Sequence, residues 1–200
     1  AQHIVTGAFW NLGQNCSAVS RLIVHEKIKD QLVAKLKAQI KDWRQGDPLN
    51  PSNRLGVPVD ASHGAKIQSY LDQARDRKLA VLAGSLDGPN YPVILDVPQV
   101  TSPLATEEIF GPVLVVHTVK SLDEAIQLAN DTPYGLTAAV FSANMKKAVR
   151  AARAIKAGTV TVNSYGEGDI TTPFGGYKQS GFGGRDNGLE ALEQYTQTKT

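Results

Sequence analysis

Residues 113–163 read VLVVHTVKSLDEAIQLANDTPYGLTAAVFSANMKKAVRAARAIKAGTVTVN, and their alternation of apolar runs with helical spacing decides the fold. Val113–Val119 is a short apolar run of the kind that forms a strand buried on both faces. Ser121 and Glu124 have the capping-box spacing, which predicts a helix starting after Ser121 and ending near Asn130. Thr132-Pro133-Tyr134-Gly135 makes a turn, and Leu136–Ser142 is the next strand. Met145–Lys156 reads as a helix closed by Gly158, and Thr159–Asn163 as a further strand. Strand, helix, strand, helix, strand is the order of an α/β fold, a parallel sheet with crossover helices.

Upstream, the runs LAVLAG at 79–84 and PVILDV at 92–97 predict two more buried strands. Ile28, Leu32, Leu36 and Ile40 recur every four positions, with Val33 and Trp43 beside them, so a long amphipathic helix is expected over Glu26–Gln45, stopped by Gly46. A second helix is expected from about Ser62 to Lys78, with Ile67, Tyr70, Leu71 and Ala74 inward. Downstream, Phe174–Gly188 is too glycine-rich for an element interior and reads as an ordered loop, followed by a short helical turn at Leu189–Tyr195. Neither an internal repeat nor a low-complexity tract interrupts the chain.

Two hundred residues with 42% hydrophobic and 20% charged side chains can bury a sizeable core. The net charge is +2 with acids and bases interspersed, and no basic stripe runs along the chain, which speaks against a nucleic-acid partner. The apolar runs are too short to span a bilayer, and no charged segment followed by an apolar one opens the sequence, so neither a membrane partner nor a leader is expected and the cytoplasm is favoured. His3, His25, His63 and His117 share no metal-ligand spacing and read as surface or strand residues, so no metal is expected. The glycines at 175, 176, 181, 183 and 184 follow no strand and open no helix, which excludes a dinucleotide fingerprint there.

Cys16 is the one cysteine. Alone it can form no internal disulfide, and two readings stay open: a buried core thiol, or a reactive one. A reactive thiol needs amide donors, a helix start or a nearby cation to hold its thiolate, and a Gly13-Gln14-Asn15 turn leading into small residues can present it that way.

The string Gly13-Gln14-Asn15-Cys16, with Ser20-Arg21 after it, resembles the nucleophile motif of the aldehyde dehydrogenase superfamily. The resemblance continues in order through GDPL at 46–49, EEIFGP at 107–112, ANDTPYGL at 129–136, AGTV at 157–160 and PFGGYKQSG at 173–181, covering nearly the whole chain. Two loops, at 55–58 and 181–185, are one residue longer than is usual in that family.

That resemblance implies a catalytic domain over residues 1–200. In it the Cys16 thiolate adds to an aldehyde, its own N–H helps hold the oxyanion, and NAD or NADP accepts the hydride to leave a thioester. Glu108 matches the glutamate that accepts from the nicotinamide ribose hydroxyls, and Phe110 the aromatic beside the cofactor ring. Residues 163–173 match the loop lining the aldehyde tunnel, and Phe174 the aromatic near the reacting carbon. Within that loop, Tyr165, Glu167 and Asp169 suit a cationic substrate tail, as in the subgroup acting on ω-aminoaldehydes. The resemblance further implies that the general-base glutamate, the oxyanion asparagine and the cofactor-binding half lie upstream of residue 1, and that an oligomerisation strand follows Thr200. The segment is then expected to belong to a longer homo-oligomeric enzyme, a dimer or tetramer, and to be inactive alone. The rival expectations are an inert folding module, or cysteine-dependent ester hydrolysis without a cofactor.

Overall fold

The computed structural model describes residues 1–88, 91–166 and 168–199. The chain forms two compact units, Ala1–Ser121 and Leu122–Thr200.

The first unit begins with α1 (Gln2–Phe9), a turn of 3-10 helix over Trp10–Gly13, β1 (Arg21–His25) and α2 (Glu26–Ile40). It continues through α3 (Ala61–Asp76), β2 (Ala80–Gly84), β3 (Val93–Asp96), α4 (Pro103–Thr106) and β4 (Val113–Val119). The sheet order is β1-β4-β3-β2; β1 and β3 both pair with β4 in parallel, while β2 pairs antiparallel with β3.

The two central strands are apolar on both faces because helices cover both. Val93, Leu95, Val113 and Val115 pack with Ile67, Leu71 and Ala74 of α3 and Leu104 of α4. The alternate residues Ile94, Leu114 and Val116 pack with Val5, Ala8 and Phe9 of α1 and Leu36 of α2. Period two in the strands thus separates two apolar clusters with the sheet between them.

Several expectations change. The strand at Ala80–Gly84 is an edge strand, mostly exposed rather than buried on both faces, and its antiparallel pairing makes the sheet mostly parallel. The helix at Glu26 ends at Ile40, not Gln45. Trp43 meets Phe9 edge-on, with ring centroids 6.3 Å apart, and Arg54 lies 5.7 Å from the Trp43 ring; its N–H donates to the Ile40 carbonyl, so a turn just after the helix carries that indole. Neither α1 nor β1 was expected from the sequence. The α3 helix starts at Ala61 because the Asp60 side chain accepts from the His63 N–H at 2.7 Å, a regular N-cap.

The second unit holds α5 (Leu122–Asn130), β5 (Tyr134–Gly135), β6 (Thr137–Val140), α6 (Met145–Ala154), β7 (Thr159–Val162), β8 (Tyr177–Lys178) and a 3-10 stretch over Leu189–Tyr195. As read from the sequence, β6 and β7 pair in parallel across the α6 crossover, but they form a two-stranded sheet separate from β4. The residues expected only as a turn, Tyr134 and Gly135, pair as β5 with β8 inside the glycine-rich stretch. That pairing is pinned by side chains. Lys178 Nζ donates to the carbonyls of Asn130 and Thr132, at 2.8 and 2.9 Å, and the Gly135 N–H donates to Ser180 Oγ. At Gly158 a β-carbon would stand 1.6 Å from the Gly175 carbonyl oxygen, so only glycine allows the two segments to pass.

Candidate functional site

The β1–β4 register sets what meets at the site. Arg21 pairs with Val115, so Cys16 and Phe110 lie the same number of residues upstream of paired positions on adjacent parallel strands. Both loops therefore emerge at the same end of the sheet. They touch: a β-carbon on Gly13 would lie 2.3 Å from the carbonyl oxygen of Gly111.

The cysteine loop is built by a reversal at the end of α1. Asn11, Leu12 and Gly13 all take left-handed backbone, at φ 51°, 58° and 71°. Burial of Leu12 at 1% exposure and the bond from Asn11 Nδ2 to the Gln14 carbonyl hold a conformation that is costly for residues other than glycine. Gln14 Oε1 accepts from the Val59 N–H at 2.8 Å, tying the loop to the segment before α3. Asn15 Nδ2 donates to the buried Ser17 hydroxyl, and the Val19 N–H donates to the Gly7 carbonyl. Cys16 is exposed on top of this frame, its Sγ 3.7 Å from Asn15 Oδ1. The core-thiol reading is thereby removed. Among the described residues, the Cys16 N–H donates to nothing, leaving it available to an oxyanion.

The second loop, residues 107–112, lies along one face of α3. Tyr70 donates its hydroxyl to Glu107 Oε2 at 2.7 Å. Lys66 Nζ donates to the Glu108 carbonyl at 2.9 Å, and His63 Nε2 lies 2.7 Å from the Phe110 carbonyl. At Gly111 a β-carbon would meet Ile67 at 2.8 Å. Positions 63, 66, 67 and 70 recur as one helix face, and each touches a different residue of the loop. The structure thus distinguishes two adjacent acids that look alike in sequence. Glu107 is engaged by Tyr70, whereas the exposed Glu108 carboxylate has no hydrogen-bond or ionic partner among the described residues. Its two oxygens suit the vicinal hydroxyls of a ribose. Phe110 is half-buried, with φ +58°.

The remaining expected site residues belong to the second unit. Tyr165 is half-buried, and Phe174 is half-buried with its backbone bridged to Asp186. Asp169 is exposed, and its Oδ1 accepts from both the Thr171 hydroxyl and the Thr171 N–H, at 2.5 and 2.7 Å. Those bonds, the hydroxyl first, hold its carboxyl below the usual carboxylate range, so it is ionised at neutral pH. Glu167 lies outside the described residues.

Sequence reading missed His63, Lys66 and Tyr70. Their spacing on a face that also carries Ile67 was available, but only the packing shows that polar groups on that face point at a loop rather than at water.

Several known proteins are similar to this chain. An aminoacetaldehyde dehydrogenase of Pseudomonas aeruginosa is 52% identical over 203 residues, which take in 100% of this chain and 41% of that protein. An NADP/NAD-dependent aldehyde dehydrogenase of Escherichia coli is 43% identical over 206 residues, again 100% of this chain and 41% of the relative. The crystal structure of an indole-3-acetaldehyde dehydrogenase in complex with NAD+ superposes with a TM-score of 0.92 at 42% identity, over 98% of this chain and 41% of that one. A Staphylococcus aureus betaine aldehyde dehydrogenase in complex with NAD+ gives a TM-score of 0.90 at 36% identity, over 97% of this chain and 40% of that one. The chain spans about two fifths of the length of these relatives. Residues 1–200 match the aldehyde dehydrogenase family throughout, and the chain belongs to that family.

Proposed function

We propose that the protein oxidises an aldehyde to a carboxylic acid with NAD or NADP, and that Cys16 is its nucleophile. The observation that carries this reading is the junction of the Cys16 loop with the Glu108–Phe110 loop at Gly13 and Gly111. Gly13 stands three residues before the exposed Cys16 and Gly111 directly after Phe110, which supports reading the two loops as parts of one site.

In this reading the Cys16 thiolate forms a bond to the carbonyl carbon, and the displaced electron pair moves onto oxygen, where the Cys16 N–H can donate to it. Glu108 would accept from the ribose hydroxyls of the cofactor and Phe110 would lie beside its ring; the bound NAD(P) supplies a hydride acceptor. Loss of hydride converts the adduct on Cys16 to a thioester. Water then cleaves the C–S bond, releasing the acid and the thiol. Phe174 would stand near the reacting carbon.

For the substrate, we read an aldehyde with a cationic far end. Tyr165 offers a ring face, and Asp169, with Glu167 in the same loop, offers negative charge. The similarity to the aminoacetaldehyde dehydrogenase supports this choice. We further read the working form as a homo-oligomer, a dimer or tetramer, in the cytoplasm, without a nucleic-acid or membrane partner. Among the described residues no helix is long and apolar enough to cross a membrane.

The test is the full-length protein with an ω-aminoaldehyde and NAD+, followed by NADH formation, beside hydrolysis of a nitrophenyl ester. Wild type should do both, and Cys16→Ser should do neither while still binding NAD+. Ester hydrolysis without NADH formation would leave only a reactive thiol, and oxidation by the serine variant would remove Cys16 from the mechanism.

A further inference from the structure

We propose that His63 is a positioning residue that holds Phe110, and through it the cofactor-facing loop, in its binding conformation. This rests on the reading of Glu108 and Phe110 given above.

Phe110 has φ +58°, a backbone region that residues with a β-carbon rarely adopt, so its surroundings must impose it. Four contacts from α3 bear on this loop: Tyr70 donates to the Glu107 carboxylate, Ile67 closes against Gly111, Lys66 holds the Glu108 carbonyl, and His63 holds the Phe110 carbonyl itself. His63 makes the most specific of these contacts. A carbonyl oxygen can only accept, so the ring must carry a proton on Nε2 to make the 2.7 Å bond. The same imidazole meets the Phe110 ring edge-on, with centroids 6.1 Å apart and planes at 70°. One side chain thus fixes both the backbone and the ring of Phe110. The histidine is fixed in turn, because Asp60 caps its N–H at 2.7 Å and places it in the first turn of α3. Sequence spacing gave His63 no role, since nothing in it suggests a metal site.

The bond also bears on Glu108. That carboxylate has no partner among the described residues, while its main chain is clamped by Lys66 and, two residues on, by His63. Losing the His63 donor should let the Glu108–Gly111 backbone relax toward ordinary dihedral angles and disperse the directions in which Glu108 and Phe110 point. Cys16 itself keeps its own hydrogen bonds in the loop at residues 11–19. The effect should therefore fall on cofactor binding and spare the intrinsic reactivity of the thiol.

The experiment compares wild type, His63→Phe, His63→Ala and His63→Gln in the full-length protein, by two measurements. Hydrogen exchange of the peptide containing residues 107–113, without cofactor, reads the hold on the loop. Equilibrium binding of NAD+, without aldehyde, reads its consequence. Both variants lacking a donor should exchange this peptide faster and bind NAD+ about three- to tenfold more weakly, the range expected for one lost hydrogen bond. His63→Gln, whose amide can replace Nε2–H, should restore both, and alkylation of Cys16 by iodoacetamide should not change across the series. Unchanged exchange in His63→Phe and His63→Ala would overturn the proposal. So would faster exchange with unaltered NAD+ affinity, or failure of His63→Gln to restore binding. A wild-type protein that bound neither NAD+ nor NADP would instead overturn the cofactor reading of Glu108 and Phe110, with exchange still deciding whether His63 holds the loop.

Discussion

Gly13 and Gly111 approach so closely that a β-carbon on Gly13 would lie 2.3 Å from the Gly111 carbonyl oxygen. Gly13 also has φ +71°, so two independent constraints favour glycine at the junction of the cysteine loop with the loop at residues 107–112. Gly13→Ala should lose at least about 1–2 kcal/mol of stability from the backbone alone, and more from the overlap. Denaturant unfolding measures the loss. Because the overlap pushes the Gly111 backbone away, NAD+ affinity should fall as well. A variant as stable as wild type would show that the loops are not in contact.

Glu107 and Glu108 should separate in their effects. Glu108→Gln removes the charge from a carboxylate without a partner among the described residues, and should weaken NAD+ binding or slow oxidation by the equivalent of about 1.5–3 kcal/mol, with no change in stability. Glu107→Gln changes the acceptor for Tyr70, so its effect should fall on stability, with NAD+ affinity nearly kept. Equal effects of the two variants on NAD+ affinity would contradict the assignment of Glu108.

His117 should make the first unit sensitive to acid. It is 2% exposed on β4, and among the described residues neither ring nitrogen has a partner in hydrogen-bond geometry. Burial lowers its pKa below the usual 6.5 and the charge of Arg21 acts in the same direction, while the Val97 backbone and Asp96 offset part of this. The unfolded chain therefore takes up the proton first. Stability should be complete above pH 6.5 and fall as the pH drops below it, by up to about 1.4 kcal/mol per pH unit until the folded pKa is reached. His117→Leu should flatten that acid limb, measured as urea unfolding at pH 7.5 and 5.5. Parallel losses in both proteins would assign the acid sensitivity to other groups.

Asp169→Asn is a clean change, because an asparagine Oδ1 can still accept from Thr171 while the charge is gone. We expect kcat/KM for an ω-aminoaldehyde to fall about 1.5- to 5-fold, as for an exposed charge pair, with a neutral aldehyde of equal length unaffected. High salt should shrink the difference. An equal loss for both substrates would make Asp169 a loop-shaping residue.

The sequence alone determined the central strands, because Val93–Asp96 and Val113–Val119 are apolar on both faces and helices must cover both. It also determined the crossover β6-α6-β7, whose strand and helix periods are unambiguous, and the motif around Cys16. Tertiary structure decided what these local signals leave open. The α1 helix has no side-chain cap bond and no acid in its first turn, so it draws its stability from burying Val5, Ala8 and Phe9 rather than from a signal that can be read along the chain. The five residues of β1 are mostly half-buried and become a strand by pairing with β4. The same pairing brings Cys16 and Phe110 to one end of the sheet, although nearly a hundred residues separate them. Two adjacent glutamates are chemically identical in sequence, and only the Tyr70 hydroxyl distinguishes them, because a hydrogen bond depends on where a distant helix face comes to rest.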